Sequence, residues 1–213
     1  MTESHFAYPI VLNLSGRSAL VVGGGEVALR KARALADAGA RVRVVAPEFS
    51  AGFAEDGRFE CVAARYEKRH IEGALVAVAA TDDEAVNRQV AEDARAAGVL
   101  VNVVDRPELC DFIVPAQVRR GDLVVAVSTS GAAPALAKRL RERLEKEFGP
   151  EYATYLAVLR EVREDLKKRN IPADLRRRIF ERLASDDLLA AARQGTAALR
   201  QAIERAMNEV RGG

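Results

Sequence analysis

Three consecutive glycines stand where a buried strand would pass into a helix. Gly23, Gly24 and Gly25 follow the apolar run Ala19–Val22 and precede apolar residues at helical spacing. Gly23 would let the chain turn sharply out of the strand, and Gly25 would let a pyrophosphate approach the backbone. Ala28 is small enough for the helix to pack closely on the strand. The pattern predicts the phosphate-binding turn of a dinucleotide-binding fold.

The start of the helix and the end of the second strand would supply further contacts to the same ligand. The N–H groups of Glu26 and Val27 would point at phosphate oxygens, helped by the helix dipole. A second strand around Val42–Val45 leads to Pro47 and Glu48. The Glu48 carboxylate could accept hydrogen bonds from an adenosine ribose and repel a 2′-phosphate, which favours NAD over NADP. The alternative is a Rossmann-like module that has lost its ligand or holds another nucleotide.

A third strand, Leu75–Ala79, is followed by the polar sequence Thr81-Asp82-Asp83. Thr81 would lie at the carboxyl end of a parallel strand, where ligands of open α/β sheets bind. The same residues are equally typical of a helix cap, with Asp82 or Asp83 accepting from the first N–H groups of the next helix. Both roles are compatible.

The fourth strand of the unit, Leu100–Val104, brings a carboxylate to the same predicted crevice. Asn102 and Val103 lie within this strand as candidate cofactor contacts, and Asp105 follows it. By position, Asp105 is the best general-base candidate of the chain. The alternative is that Asp105 only starts the turn before Pro107, a position that aspartate often takes.

Composition excludes several classes of protein. With 49% hydrophobic and 30% charged residues and a net charge of +2, the chain is typical of globular proteins and shows no global signal for nucleic acid or a membrane surface. The start of the chain lacks signal-peptide features. Two cysteines, Cys61 and Cys110, cannot form a disulfide framework, so a reducing cytoplasm is the simplest setting. We expect Cys61 to fill the core.

Two histidines, His5 and His70, are too few for a resident zinc or iron site, and His70 is expected at the surface.

Other expectations concern elements around the nucleotide-binding unit. Tyr8–Leu14 is interpreted as a possible edge strand, and Phe49–Gly57 as a loop. A short strand is expected around Phe59–Ala64.

The sequence changes character after Phe112. Two apolar segments, around Gln117-Val118 and at Leu123–Ser128, flank a turn with Gly121 and predict a β-hairpin that pairs with a second subunit. Pro134 suits the first turn of a following helix. Everything beyond Gly149-Pro150 has helical spacing. We therefore predict an α/β chain: a Rossmann-like parallel-sheet domain over 1–112, a hairpin dimerisation region over 113–149 and a helical region over 150–213.

An ordered series of motifs across about residues 8 to 145 resembles the precorrin-2 dehydrogenase family, also called the sirohydrochlorin ferrochelatase family, which includes the N-terminal module of siroheme synthase. The Arg30-Lys31 pair and the stretch Asn102–Asp105 are its most distinctive parts. The motifs are Tyr8-Pro9, VVGGGEVALRKARAL, GARVRVVAPE, AATDDEAVN, VNVVDRPELCDFIVPA and STSGAAPALAKRLRERLE.

The resemblance implies an enzyme that oxidises precorrin-2 to sirohydrochlorin with NAD as hydride acceptor, in siroheme or cobalamin biosynthesis. Some members also insert Fe²⁺ or Co²⁺ into the product. The resemblance also implies that the chain forms a homodimer. The family's important aspartate matches Asp105. Because the substrate carries many carboxylates, Arg106 and Lys138 are candidate cationic contacts. The hydroxyl groups that could touch substrate or cofactor belong to Ser128, Thr129 and Ser130.

The chain also departs from the family pattern. Ala133 stands where members often carry Ser before the proline, and the C-terminal helical region matches poorly. Two other functions stay open: an NAD-sensing Rossmann module without chemistry, and a metallochelatase that has lost the dehydrogenase. A turnover assay with NAD and precorrin-2 would separate them.

Overall fold

The structure, a computed structural model, describes residues 8–212. It divides into two compact units, Met1–Val114 and Pro115–Gly213. Each unit has its own buried apolar cluster. The three-part division predicted at residues 112 and 149 stays a prediction.

A five-stranded parallel sheet forms the centre of the first unit, in the strand order β3-β2-β1-β4-β5. Its strands are β1 (Ser18–Val22), β2 (Arg41–Ala46), β3 (Glu60–Ala63), β4 (Ala74–Ala79) and β5 (Leu100–Val103). The central strands are apolar runs because both faces of the sheet are covered. This is the predicted Rossmann-like arrangement, and it is confirmed.

Helices cover the two faces of this sheet. Helix α1 (Glu26–Asp37) packs Ala28, Leu29 and Ala32 onto one face. Helix α3 (Glu84–Ala97) packs on the other face, begins at the Asp83 cap and ends at Gly98 in the left-handed conformation. The remaining helical segments of this unit are α2 (Ala51–Asp56) and the 3₁₀ turns Lys68–Ile71 and Pro107–Leu109.

The second unit begins with the predicted hairpin and continues with helices only. Strands β6 (Ala116–Arg120) and β7 (Leu123–Val127) pair antiparallel around Gly121-Asp122. Pro134 opens the next helix as predicted. The helices are α4 (Pro134–Glu147), α5 (Glu151–Lys168), α6 (Ala173–Leu183), α7 (Asp186–Arg193) and α8 (Thr196–Gly212). Across residues 8–212, every helix is too short or too polar to cross a membrane.

Two predicted local structures are wrong. The segment predicted as a loop at Phe49–Gly57 contains α2, because Phe53 is buried and makes edge-on ring contacts with Phe49 and Phe59. A helix of six residues is too short to show a clear period. The predicted edge strand at Tyr8–Leu14 forms no ladder, and the sheet has β3 and β5 at its edges.

Two predictions of burial are also wrong. Cys61 is exposed, because it lies on the edge strand β3. His70 is buried rather than exposed, because its Nδ1 accepts the Glu67 N–H at 2.9 Å and the ring packs beside Tyr66. His5 lies outside the described residues. Local charge around His70 gave no sign of this capping role.

Candidate nucleotide-binding and catalytic site

Close backbone contacts require glycine at two positions of the turn after β1. Gly23 has φ +131°, and a Cβ there would overlap the carbonyl oxygen of Ala80. A Cβ on Gly24 would overlap the carbonyl oxygen of Glu48. The Gly23 N–H donates to the Val45 carbonyl at 3.0 Å. These contacts hold the turn between the ends of β2 and β4.

Gly25 has a different role, because it faces open space. It is the N-cap of α1 with extended backbone, and a Cβ built on it meets nothing within 4 Å. Its carbonyl accepts the first helical hydrogen bond, from Leu29 N–H at 3.0 Å. The N–H groups of Glu26 and Val27, in the first turn, have no helical acceptor and are suited to an anion. The turn therefore fits the pyrophosphate of a dinucleotide.

The segment after β2 is joined to the same turn. The Ser50 N–H donates to the Gly24 carbonyl at 2.8 Å, and Pro47 and Glu48 are exposed beside it. Within residues 8–212, Ser50 Oγ is the buried side-chain polar atom without a hydrogen-bond partner. Sequence reasoning missed Ser50, because it precedes the short helix that was interpreted as a loop.

The residues after β4 cap helix α3 and also lie at the carboxyl-terminal edge of the sheet. Asp83 Oδ1 accepts from Ala85 N–H at 2.9 Å and Val86 N–H at 3.2 Å, which confirms it as the cap of α3. The Thr81 hydroxyl donates to Asn87 Oδ1 at 2.9 Å, and Asn87 Nδ2 donates back to the Thr81 carbonyl at 2.8 Å. Thr81 is therefore fixed at the carboxyl end of β4, and its contact with a cofactor stays a prediction.

Asp105 occupies a strained turn directly after β5. Its side chain is exposed, and its φ of +59° lies in the left-handed region that non-glycine residues rarely adopt. The Arg106 N–H donates to the Val103 carbonyl at 3.3 Å across this turn. Strain of this kind persists only where surrounding structure imposes it, and it concentrates at functional sites.

The Cys110 thiol supplies part of that surrounding structure. Its sulfur accepts the Val103 N–H at 3.1 Å and lies 3.2 Å from the Val103 carbonyl and 3.3 Å from the Arg106 carbonyl. Burial raises the pKa of the Cys110 thiol, so the group stays protonated and can donate. Val103 and Asn102, both predicted cofactor contacts, are buried; Asn102 Nδ2 donates to the Phe112 carbonyl at 3.0 Å.

Two basic residues that the sequence singled out have different surroundings. Arg106, a predicted substrate contact, makes ion pairs with Glu84 at 2.9 Å and Glu108 at 3.9 Å. Lys31 is half-buried on α1, and this burial lowers the pKa of its ammonium group. Sequence reasoning singled out the Arg30-Lys31 pair but assigned it no role.

The remaining predicted substrate contacts lie in the second unit, between β7 and α4. The Thr129 hydroxyl accepts the Ala133 N–H at 3.1 Å, and the Ser128 hydroxyl accepts the Ser130 N–H at 3.1 Å. Ser130 has φ +51°. Lys138 is exposed on α4. The hydroxyl groups of Ser128 and Thr129 thus stabilise the turn that starts the helix.

Four strand ends converge on one edge of the sheet. The glycine turn, Glu48, Thr81 and Asp105 follow β1, β2, β4 and β5, and parallel strands bring their carboxyl ends to the same edge. Strand β5 lies two strands from β1, about 10 Å at the usual spacing. In the described part of the chain, no group of three or more His, Cys, Asp or Glu could hold a metal ion.

Two family descriptions match consecutive parts of the chain. Residues 10–116 match the family described as "putative NAD(P)-binding", and residues 120–147 match the one described as "sirohaem biosynthesis protein central". The chain is similar to a siroheme synthase of Azotobacter vinelandii, with 44% identity over 95% of this chain and 46% of the relative. A siroheme synthase of Stutzerimonas stutzeri is 46% identical over 81% of this chain and 38% of its own length.

The chain spans less than half the length of these curated relatives. Among solved structures, it is similar to one titled "SirC, precorrin-2 dehydrogenase", with a TM-score of 0.73 and 28% identity. That likeness covers 95% of this chain and 100% of the solved chain. Similarity therefore extends over both units.

Proposed function

We propose that this chain, which belongs to the family described as "putative NAD(P)-binding", oxidises precorrin-2 to sirohydrochlorin with NAD as the hydride acceptor. The solved relative named for precorrin-2 dehydrogenase supports this proposal, because the likeness covers nearly the whole chain. The observation that carries it is the exposed Asp105, in a strained turn on the same sheet edge as the glycine turn.

NAD, when bound, supplies a nicotinamide ring that accepts a hydride. In our proposal the backbone of Gly23, Gly24 and Gly25 and the N–H groups of Glu26 and Val27 bind its pyrophosphate. The exposed Glu48 carboxylate accepts hydrogen bonds from the adenosine ribose and disfavours a 2′-phosphate, so NAD is preferred to NADP. Pro47, Thr81, Asn102 and Val103 complete the proposed cofactor contacts.

Asp105 is the proposed proton acceptor of the reaction. Oxidation removes a hydride and a proton from the saturated macrocycle; bound NAD would supply the hydride acceptor, and the Asp105 carboxylate accepts the proton. The exposed position of Asp105 gives a large substrate access to the carboxylate. Because the substrate carries many carboxylates, we assign their binding to Arg106 and Lys138 and to the hydroxyl-rich turn Ser128–Ser130.

Insertion of Fe²⁺ or Co²⁺ into sirohydrochlorin is proposed as a second activity of the same site. The metal is then a substrate, and the pyrrole nitrogens are its ligands. Asp105 would collect the displaced protons.

We also propose a homodimer formed through the hairpin. A two-stranded sheet leaves an open edge on each strand, and Val124 on β7 and Leu136 on α4 are exposed apolar side chains nearby.

A reducing cytoplasm is proposed as the setting, because Cys61 and Cys110 are both free thiols.

One anaerobic assay tests the function. The purified chain is mixed with precorrin-2 and NAD, NADH formation is followed, and Fe²⁺ or Co²⁺ is then added to look for the metallated product. We expect NADH and sirohydrochlorin in equal amounts. NAD binding without turnover would instead support a nucleotide sensor. If no NADH forms, sirohydrochlorin itself is supplied with Fe²⁺ or Co²⁺, and metal insertion in that mixture would support a chelatase that has lost the oxidation step.

A further inference from the structure

A polar cavity lies at the edge of the sheet opposite the proposed cofactor site. It has a volume of about 490 Å³ and is lined by residues at, or just before, the amino ends of β1, β2, β3 and β4. All of these residues belong to the first unit. Because the glycine turn and Asp105 follow the carboxyl ends of the strands, this cavity has no part in the proposed mechanism.

The connection between β3 and β4 explains why there is space at this edge. Parallel strands are usually joined by a full α-helix that covers the sheet. Here the helical part of the connection is a 3₁₀ turn of four residues, Lys68–Ile71. On the same face of the sheet α3 packs against β4 and β5, which leaves space beside the amino ends of β1 and β2.

One row of residues across three strands brings the polar lining together. Arg41 on β2 pairs with Ser18 on β1, and Ser18 pairs with Ala74 on β4. Neighbouring strands are about 4.8 Å apart, so the backbones of Arg41 and Ala74 lie about 10 Å apart. His70 and Glu72 come shortly before β4 and line the same cavity. A small molecule is therefore large enough to reach polar groups on both sides.

His70 supplies this cavity with a buried donor of fixed orientation. The residue is only 9% exposed, and its Nδ1 accepts the Glu67 N–H at 2.9 Å, so the ring proton is on Nε2. Within residues 8–212, Nε2 has no hydrogen-bond partner, and the unpaired side-chain polar atom that is sealed from solvent is Ser50 Oγ instead. Because His70 lines the cavity, its free N–H is directed into it.

Two of the three arginines that line the cavity already have carboxylate partners. Arg43 Nε lies 3.1 Å from Glu60 Oε1, and Arg58 Nη1 lies 2.7 Å from Asp37 Oδ1. A ligand would have to compete with these carboxylates for both guanidinium groups. The charge that attracts a ligand must therefore come from elsewhere in the lining.

The other two charged residues of the lining are a cation and an anion. Arg41 and Glu72 both line the cavity, and neither makes an ion pair with any part of the chain that the structure describes. The buried Leu20 and the neighbouring alanines add an apolar part to the lining. Unpaired charges of both signs beside an apolar surface suit a molecule that carries a carboxylate, an ammonium group and a short hydrocarbon part.

We propose that this cavity binds a small zwitterion of the free amino acid class. Arg41 and the His70 Nε2–H bind its carboxylate, and Glu72 binds its ammonium group. The buried His70 donor then has the acceptor that it lacks within the protein, which removes the cost of leaving it unpaired. Because the cavity lies at the opposite edge from the proposed cofactor site, binding there does not depend on the proposed function.

Thermal unfolding of the full chain with each standard amino acid tests for a ligand. At about ten times its dissociation constant, a ligand of the native state should raise the melting temperature by about 3–6 °C. No change with any amino acid would overturn the proposal.

Analogues that lack one charged group test the chemical class. For L-valine these analogues are 3-methylbutanoate, without the ammonium group, and 2-methylpropylamine, without the carboxylate. Calorimetry should show that each analogue binds at least about tenfold more weakly than the amino acid. Equal affinity of the amino acid and its carboxylate analogue, or of inorganic phosphate, would overturn the assignment to a zwitterion.

Variants place the ligand in the cavity. Arg41→Gln should weaken amino acid binding by about tenfold or more, and Glu72→Gln should do the same without weakening the carboxylate analogue. His70→Asn keeps an oxygen that can accept the Glu67 N–H but removes the distal donor, so it should also weaken binding. NAD affinity should stay unchanged in all three.

The matched control is Arg17→Gln. Arg17 is exposed in the turn before β1, and it does not line the cavity. Amino acid binding should keep its wild-type affinity in this variant. An equal loss in Arg17→Gln and Arg41→Gln, or an unchanged affinity in Arg41→Gln, would overturn the proposal; since Arg41 is exposed, its replacement should not unfold the chain.

Discussion

The glycine turn after β1 and the Asp105 turn after β5 lie at the same edge of the sheet but are built differently. In the first, residues without a side chain allow close contact with the Ala80 and Glu48 carbonyls. In the second, a residue with a side chain adopts a left-handed conformation beside a thiol five positions later. The proposed cofactor half of the site thus depends on residues that have no side chain, and the proposed catalytic half depends on the backbone conformation of one residue, which a nearby thiol supports.

This difference predicts that the two halves can be damaged separately. Changes at the glycine turn should affect nucleotide binding, and changes around Asp105 should affect turnover with the nucleotide still bound. Each of the following variants tests one side of that separation.

The largest effect is expected for Asp105→Asn. Loss of a general base lowers kcat by about 10²- to 10⁴-fold, because the amide cannot accept the substrate proton. Asparagine tolerates the left-handed conformation at this position, so the fold and the dissociation constant of NAD should not change. Calorimetric NAD binding and single-turnover NADH formation measure both. A weaker affinity for NAD together with an unchanged rate of NADH formation would contradict the separate roles of the two turns.

The complementary variant is Gly25→Asp. A carboxylate at this open position would occupy the space of the pyrophosphate and repel it, so NAD affinity should fall by at least about a hundredfold. Thermal unfolding should change little, because a Cβ there meets no protein atom within 4 Å.

Gly24→Ala is the matched control at the neighbouring position. Its Cβ would overlap the Glu48 carbonyl oxygen, so the melting temperature should fall together with NAD affinity. Equal melting temperatures for Gly25→Asp and Gly24→Ala would contradict the different roles assigned to the two glycines.

A smaller effect is expected for Cys110→Ala. Removing the thiol leaves the Val103 N–H without its acceptor and loosens the turn of Asp105, so kcat should fall about tenfold. The free energy of unfolding should fall by about 1–3 kcal/mol. Cys110→Ser, which keeps a donor and an acceptor, should retain more of both. Cys61→Ala, at the exposed cysteine, should change neither quantity; kcat and chemical denaturation are measured for all three.

The smallest effect is expected for the stability of Arg106→Met. The ion pairs with Glu84 and Glu108 are exposed, so the free energy of unfolding should change by less than about 1 kcal/mol. If Arg106 binds a substrate carboxylate, KM for precorrin-2 should rise severalfold with kcat retained. A large drop in kcat would place Arg106 on the catalytic side of the comparison.

The sequence predicted the local structure correctly where a residue type has one common structural role. Glycines between a buried strand and a helix predicted the turn, and alternating strands and helices predicted the parallel sheet. Asp83 and Pro134 marked helix starts in the positions they occupy. These features depend on residues within a few positions of each other, so periodicity and capping rules describe them.

Features that depend on side-chain packing and on single side-chain hydrogen bonds were not predictable in the same way. Helix α2 exists because Phe53 packs between Phe49 and Phe59, and His70 is buried because it accepts a backbone N–H. The left-handed conformation of Asp105 cannot be derived from spacing, because the Cys110 thiol contacts Val103 and Arg106 only in the folded turn.

The hydrogen bond from Ser50 to the Gly24 carbonyl has a consequence for redesign of cofactor preference. The segment from Pro47 to Ser50 carries the proposed ribose contact and also supports the turn proposed to bind the pyrophosphate. An inserted or deleted residue in this segment would shift both proposed contacts together. Attempts to exchange NAD for NADP should therefore keep the length of this segment and change only side chains that point away from Gly24.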